Sequence, residues 1–137
     1  RKRSDTPFTS IYGGNIMIDH FGIRVSNLEI SKVFYQKTLA PLGYKIAFDI
    51  PQAVSFAEPR TAPAGDFWLS QGQSDASHFA FRAETREQVD AFYQAGLAAG
   101  GRDNGVPGIR PQYHQPYYAA FILDPDGNNI EAVCHKE

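Results

Sequence analysis

The order of hydrophobic and polar positions predicts two copies of one structural unit. Apolar and polar side chains alternate over residues 18–25, which is typical of a β-strand with one buried face. A helical period follows, from a predicted N-cap at Ser26-Asn27 to a stop before Pro41 and Gly43. Short strands are then predicted around residues 45–50, 53–57 and 66–70. The unit is therefore a strand, a helix and three further strands.

The second half of the chain repeats this order 58 positions later. Residues 20–43 aligned with 78–101 without gaps share 10 identities in 24 positions, where chance would give about one or two. The repeat predicts a strand over 77–82 and a helix over about 86–99, capped by Thr85. Strands are predicted over 117–123 and 129–134 around a tight turn at 124–127, and residues 105–111 are predicted to form a loop.

This pattern predicts an α+β fold with two βαβββ modules, 17–75 and 76–137, in a single domain. One helix covers only one face of a four-stranded sheet, so two bare faces turned towards each other would form a cup. Residues 1–16 differ from the rest, because residues 1–7 are polar and without periodicity and residues 13–15 are typical of a linker. We expect them to be a leader or an added segment before a native start at Met17, with a genuine N-terminal arm as the alternative.

Three side chains are predicted to face the cup and bind a metal ion. The apolar positions 21, 23 and 25 would face the helix, which leaves His20 on the opposite face, and the repeat gives His78 the same orientation. Glu131 stands between two apolar residues of the last strand and would share that face. Two imidazoles and a carboxylate suit a divalent Zn, Fe, Mn or Ni ion with positions open for substrate. The alternative is a structural role for both histidines.

The composition narrows the possible partners. The formal net charge of the 137 residues is −2, which does not indicate a nucleic-acid partner. No apolar run reaches the roughly 20 residues that a membrane span needs, and we expect no membrane partner. Cys134 is the only cysteine, so no disulfide can form within the chain, and a cytoplasmic location is the expectation. Cys134 should lie on the face opposite Glu131, as a core residue.

A resemblance to a known family extends over about residues 17–137. It rests on the two strand–helix segments that begin at His20 and His78 and on the sequence YAAFILDPDGNNIE at Tyr118–Glu131. The chain resembles the vicinal oxygen chelate superfamily, which includes glyoxalase I, extradiol dioxygenases, fosfomycin-resistance enzymes and bleomycin-resistance proteins. The resemblance implies paired βαβββ modules around one divalent metal ion, which stabilises an enolate or another oxyanion.

The expected function is therefore that of a metal-dependent lyase, isomerase, transferase or dioxygenase acting on a small oxygenated molecule. The substrate, the reaction, the identity of the metal and the use of glutathione or another thiol stay open. The alternative is a metal-free protein of the bleomycin-resistance type, which would sequester a ligand in the same cup.

Comparison with the branches of this superfamily assigns further site residues. A gapped alignment of the two modules puts Trp68 at the position of Glu131, where glyoxalase I has a fourth ligand. Since indole cannot bind a metal, Trp68 is expected to line the cup, and Gln71 or Gln73 is the alternative for a fourth ligand. His114 and Phe121 follow the spacing of the extradiol dioxygenase signature, but Phe121 replaces its tyrosine, which disfavours catechol cleavage. Glu131 and His114 are the predicted catalytic residues, with His114 as an acid–base group or else a loop histidine.

Three other side chains are expected near the substrate, and the assembly is expected to be dimeric. Arg24 and Arg82 share the face of the histidines and would bind a substrate carboxylate or pair with acidic groups at the rim. Tyr118, like Phe121, is expected to contact the substrate. The resemblance to small members such as glyoxalase I implies a two-fold homodimer, in which His20 of one chain meets His78 and Glu131 of the other. A site within one chain is the alternative.

Overall fold

The computed structural model describes residues 18–58, 60 and 65–137, which form two modules of the same plan. The first module consists of β1 (Phe21–Val25), α1 (Leu28–Leu39), a 3-10 turn (Ala40–Leu42), β2 (Lys45–Ile50), β3 (Ala53–Ala57) and β4 (Phe67–Gln71). The second consists of β5 (His78–Arg82), α2 (Arg86–Ala98), β6 (Arg102–Ile109), β7 (Tyr118–Leu123) and β8 (Asn129–Cys134). The predicted α+β fold with two βαβββ modules is confirmed. The hypothesis about residues 1–16 lies outside the described residues.

Both sheets have the same topology. The strand orders are β1-β4-β3-β2 and β5-β8-β7-β6, and in each sheet the first strand runs parallel to the last. Each helix begins at a side-chain cap, as predicted: Asn27 Oδ1 accepts from the Ile30 N–H at 3.1 Å, and Thr85 forms a capping box with Gln88. The repeat in the sequence is thus a repeat in space.

The prediction of a loop over residues 105–111 was wrong for most of its length. Residues Arg102–Ile109 form β6, the edge strand of the second sheet, antiparallel to β7. The register shifts twice along β6, between Asp103 and Gly105 and between Gly105 and Gly108. Bulges of this kind absorb extra residues, and an edge strand tolerates a proline such as Pro107. The glycines and the proline that suggested a loop therefore belong to an irregular edge strand.

The helix-facing sides of the two sheets share one hydrophobic core. The rings of Phe21 and Phe79 lie 5.3 Å apart across the two modules, and the buried Tyr35 on α1 donates a hydrogen bond to the buried Asp124 of the second module. Cys134 is fully buried in this core, as predicted. None of the described helices has the length and apolar character needed to cross a membrane.

We call the two sheet faces opposite the helices the cup faces, and the candidate ligands His78 and Glu131 belong to them. The strand registers assign to these faces Gly22, Arg24, Trp68 and Ser70 in the first module and Ala80, Arg82, Ala119, Phe121, Glu131 and Val133 in the second.

Candidate metal centre

Glu131 is a buried carboxylate at the centre of the second cup face. Its strand, β8, lies between β5 and β7. Its neighbours Ile130 and Ala132 fill the core on the helix side, and Glu131 itself is only 2% exposed. A carboxylate with so little contact to water requires partners that offset its lost hydration. These partners come from β5 and from the loop that precedes β7.

His78 supplies the first partner. Its Nε2 lies 3.3 Å from Glu131 Oε1, and its Nδ1 lies 2.8 Å from the backbone carbonyl oxygen of Asn129. Because a carbonyl oxygen only accepts, Nδ1 carries a hydrogen, and Nε2 is the ring atom that faces the carboxylate. Phe121 stacks on the imidazole with ring centroids 6.2 Å apart. The orientation of His78 is therefore fixed from two sides.

An imidazole nitrogen and a carboxylate oxygen at this separation share a cation, which is either a proton on Nε2 or a metal ion bound to both groups. Two ligands about 2.1 Å from a tetrahedral zinc ion would be about 3.4 Å apart, close to the observed 3.3 Å between His78 Nε2 and Glu131 Oε1. The His–Glu donor set therefore fits a divalent ion. Among the described residues, no group of three His, Cys, Asp or Glu is arranged so that it could hold a metal ion. His20 stands apart, exposed and paired with Asp19 at 2.7 Å.

Tyr117 supplies the second partner of the carboxylate. Its hydroxyl donates a hydrogen bond to Glu131 Oε2. Burial, and next this hydrogen bond, raise the pKa of Tyr117 well above its usual range, so the phenol stays protonated at neutral pH. Tyr117 thus holds one carboxylate oxygen while the other is directed at His78.

The expectation that Tyr118 contacts a substrate in the cup is corrected by the structure. Tyr118 faces the helix side, where its hydroxyl donates to Asp90 at 2.6 Å and the Arg86 guanidinium lies 5.1 Å above its ring. Neighbouring residues of a strand point to opposite faces, so a displacement of one residue exchanges the two sides. Tyr117, the residue directly before β7, is the tyrosine that contacts Glu131.

His114 lies beside Tyr117, the donor to Glu131, and it contacts a second histidine, His135, which was not predicted from the sequence. His114 Nε2 is 3.0 Å from Nδ1 of His135, and the two rings stack at 5.1 Å. Tyr117 packs edge-on against both imidazoles, at 5.3 Å in each case. Alternation along β8 places positions 131, 133 and 135 on one side, and that signal could have identified His135.

The first module carries no carboxylate at the matching position. Gly22 pairs with Trp68 in the register of β1 and β4, as Ala80 pairs with Glu131 in that of β5 and β8. The predicted equivalence of Trp68 and Glu131 is therefore confirmed. Trp68 lies on the cup face and stacks on Phe48 with ring centroids 5.8 Å apart, which gives the first cup face an aromatic wall.

The two arginines do not form the expected ion pairs at the rim. In the part of the chain that the structure describes, neither Arg24 nor Arg82 makes a salt bridge. Arg24 lines a shallow groove with Gln73, Asp75 and Ser77. This groove contains none of the residues around Glu131. The positive charge of Arg82 acts on the second module, where it lowers the pKa of His135.

Comparisons with known proteins agree with this architecture. A glyoxalase/bleomycin resistance protein from Albidiferax ferrireducens T118 is 32% identical and has a TM-score of 0.74 over 88% of this chain and 100% of that chain. A lactoylglutathione lyase from Agrobacterium tumefaciens is 19% identical, with a TM-score of 0.66 over 88% of this chain and 93% of that chain, which shows the fold alone. The comparison with curated proteins gave no match. A family model matches residues 17–132. The chain belongs to the family which that model describes, the Glyoxalase/Bleomycin resistance protein/Dioxygenase superfamily.

Proposed function

We propose that this protein is a metal-dependent enzyme of the vicinal oxygen chelate type, in which His78 and Glu131 of one copy and His20 of a second hold one divalent ion. The observation that carries the proposal is the 3.3 Å approach of His78 Nε2 to Glu131 Oε1, with Nδ1 of the same ring bound to a carbonyl oxygen. The bound ion would polarise two neighbouring oxygen atoms of a substrate and stabilise the negative charge that develops on one of them.

The surrounding residues of this chain define the kind of substrate. Tyr117 holds Glu131 through Oε2, and Phe121 fixes the ring of His78. Phe121 has no hydroxyl to donate to a catechol, while the Arg110 guanidinium lies 5.5 Å above its ring and Arg82 stands on the same cup face. These cations favour a small oxygenated substrate that carries negative charge. A lyase, isomerase, transferase or dioxygenase reaction is compatible with this site.

The proposal requires a second copy because His20 lies outside the His78–Glu131 group. The first cup face also leaves large apolar side chains in contact with solvent, with Phe48 44% and Ile50 48% exposed. In a two-fold dimer, the first cup face of one copy would cover the second cup face of the other and bring His20 to the site. Such an isologous arrangement would form the site twice.

Metal binding by matched variants tests this function. The protein is purified without chelators or immobilised-metal columns, its metal content is measured, and zinc binding is followed by calorimetry. We expect about one ion per chain, and a loss of affinity of at least about 100-fold in His78→Ala and Glu131→Gln. Glu87→Gln, which removes an exposed carboxylate from α2, should bind zinc like the wild type. Equal binding by all three variants would overturn the proposal and leave metal-free ligand binding as the function of the cup.

A further inference from the structure

The His114–His135 pair is a second functional group beside the candidate metal centre. His114 belongs to the loop between β6 and β7, and His135 directly follows β8. The Tyr117 ring packs against both imidazoles, and its hydroxyl binds Glu131. A single side chain therefore separates His135 from the carboxylate of the metal centre.

The hydrogen bonds of the pair determine which nitrogen of His135 is free. His114 Nδ1 lies 3.0 Å from the backbone carbonyl oxygen of Gln115, and a carbonyl oxygen only accepts, so this nitrogen carries the hydrogen. In the neutral ring, Nε2 of His114 is then an acceptor, and the group that donates to it at 3.0 Å is Nδ1–H of His135. The remaining nitrogen of a neutral His135, Nε2, has no hydrogen and is a proton acceptor.

The surroundings of His135 keep this ring neutral. Burial, then the positive charge of Arg82, and then the unfavourable interaction with His114 lower the pKa of His135, while Glu131 acts in the opposite direction. The neutral form therefore predominates at neutral pH, with Nε2 available. An anion that formed beside Arg82 would offset the positive charge that disfavours protonation of His135.

We propose that His135 is the catalytic base of this site and that His114 is the residue that positions it. This inference rests on the proposed function. The substrate class is a small molecule with two vicinal oxygens, one of them an ionisable hydroxyl. The O–H bond of that hydroxyl breaks, its proton moves to Nε2 of His135, and the electron pair stays on the substrate oxygen, where Arg82 attracts the new negative charge.

Proton counting with a simple chelating probe tests the base. Acetohydroxamate has two vicinal oxygens and loses one proton when it binds as an anion. Its binding to the zinc-loaded protein is measured by calorimetry in two buffers of different ionisation enthalpy, which gives the number of protons released to the buffer. His135→Asn is the informative variant, because the Asn amide can still donate to His114 Nε2 but provides no base. Lys136→Gln, which alters the next residue and breaks its salt bridge to Glu84, is the matched control.

The wild type and Lys136→Gln should each release about one proton fewer per site than His135→Asn, because His135 retains that proton. Equal release by all three proteins would overturn the role of His135. If the wild type binds neither zinc nor the zinc-dependent probe, the proposed function fails first, and this inference fails with it.

The positioning role of His114 has a spectroscopic test that does not require metal. Long-range ¹H–¹⁵N correlation of the imidazole rings distinguishes the two neutral tautomers. His135 should be in the Nδ1–H form in the wild type and should move towards the Nε2–H form in His114→Phe. A His135 ring that is already in the Nε2–H form in the wild type would overturn the inference, whatever the metal content.

Discussion

At the scale of single residues, the site depends on the partners of the buried Glu131 carboxylate. Tyr117 donates to Oε2, and His78 stands 3.3 Å from Oε1. The equivalent position of the first module holds Trp68, which needs no such partners. One module thus provides a polar centre and the other an aromatic wall on the same backbone plan.

Replacing Tyr117 with phenylalanine should weaken both the fold and the metal site. Glu131 Oε2 would lose its donor in a buried position, which should cost about 1–3 kcal/mol of unfolding free energy. Zinc affinity should fall by about 10- to 100-fold, because outer hydrogen bonds orient a ligating carboxylate. Tyr118→Phe is the matched control, since it also removes a hydroxyl bound to a carboxylate, but on the helix side. Unchanged zinc affinity in Tyr117→Phe would contradict this role.

The same variant gives a prediction about pH. The folded chain raises the pKa of Tyr117 above the value of about 10 for an unfolded tyrosine. The stabilising contribution of the protonated phenol is therefore complete below pH ~10 and declines as the pH rises towards the folded pKa. Urea unfolding at increasing pH should show a steeper loss of stability in the wild type than in Tyr117→Phe.

The alternation of side chains explains which residues of the site could be predicted. His78 and Glu131 lie in or at the start of regular strands, and the alternation of side chains predicted their faces correctly. Tyr117 lies one residue before β7, and His135 lies one residue after β8. The alternation of side chains does not show at which residue a strand begins or ends, so no face was predicted for these two residues. The contact between His114 and His135 depends on the path of a loop, and no local pattern encodes it.

At the scale of elements, the start of α2 is encoded by its own side chains. Thr85 Oγ1 accepts from the Gln88 N–H at 3.1 Å, and the Gln88 side chain accepts from the Thr85 N–H. Thr85→Ala should cost about 1 kcal/mol and lower the melting temperature by about 3–5 °C. Thr85→Ser retains the hydroxyl and should restore most of the loss in a thermal unfolding experiment. If Ser and Ala destabilise equally, the cap does not stabilise the helix.

The helices and most strands were predictable because cap, period and turn signals agreed with one another. The edge strand β6 was not, because its glycines and Pro107 are turn formers by composition. Its pairing with β7 is long-range and includes two register shifts. The pattern of a single sequence cannot show that a distant strand such as β7 is available to pair with an irregular edge strand.

At the scale of the whole molecule, the repeat predicted the cup faces but not how the modules would pack. Within one chain they share a helix-side core, in which Phe67 and Phe81 lie 5.4 Å apart. The buried Asp124 ties the second module to Tyr35 of the first. This packing accounts for the hydrophobic residues on the helix side, and it leaves both cup faces without a partner among the described residues of the same chain, as the proposed dimer requires.

Mixing two inactive variants tests whether the metal site is shared between chains. His20→Ala and Glu131→Ala should each bind little zinc alone. In the proposed dimer, a mixed pair combines His20 of the Glu131→Ala chain with His78 and Glu131 of the His20→Ala chain, so one of its two sites is intact. Random mixing in equal amounts should therefore restore about one quarter of the wild-type zinc capacity. Two chains with different affinity tags allow the mixed dimer to be isolated, and its zinc content is then measured directly. A verified mixed dimer without zinc would show that each site, if present, forms within one chain.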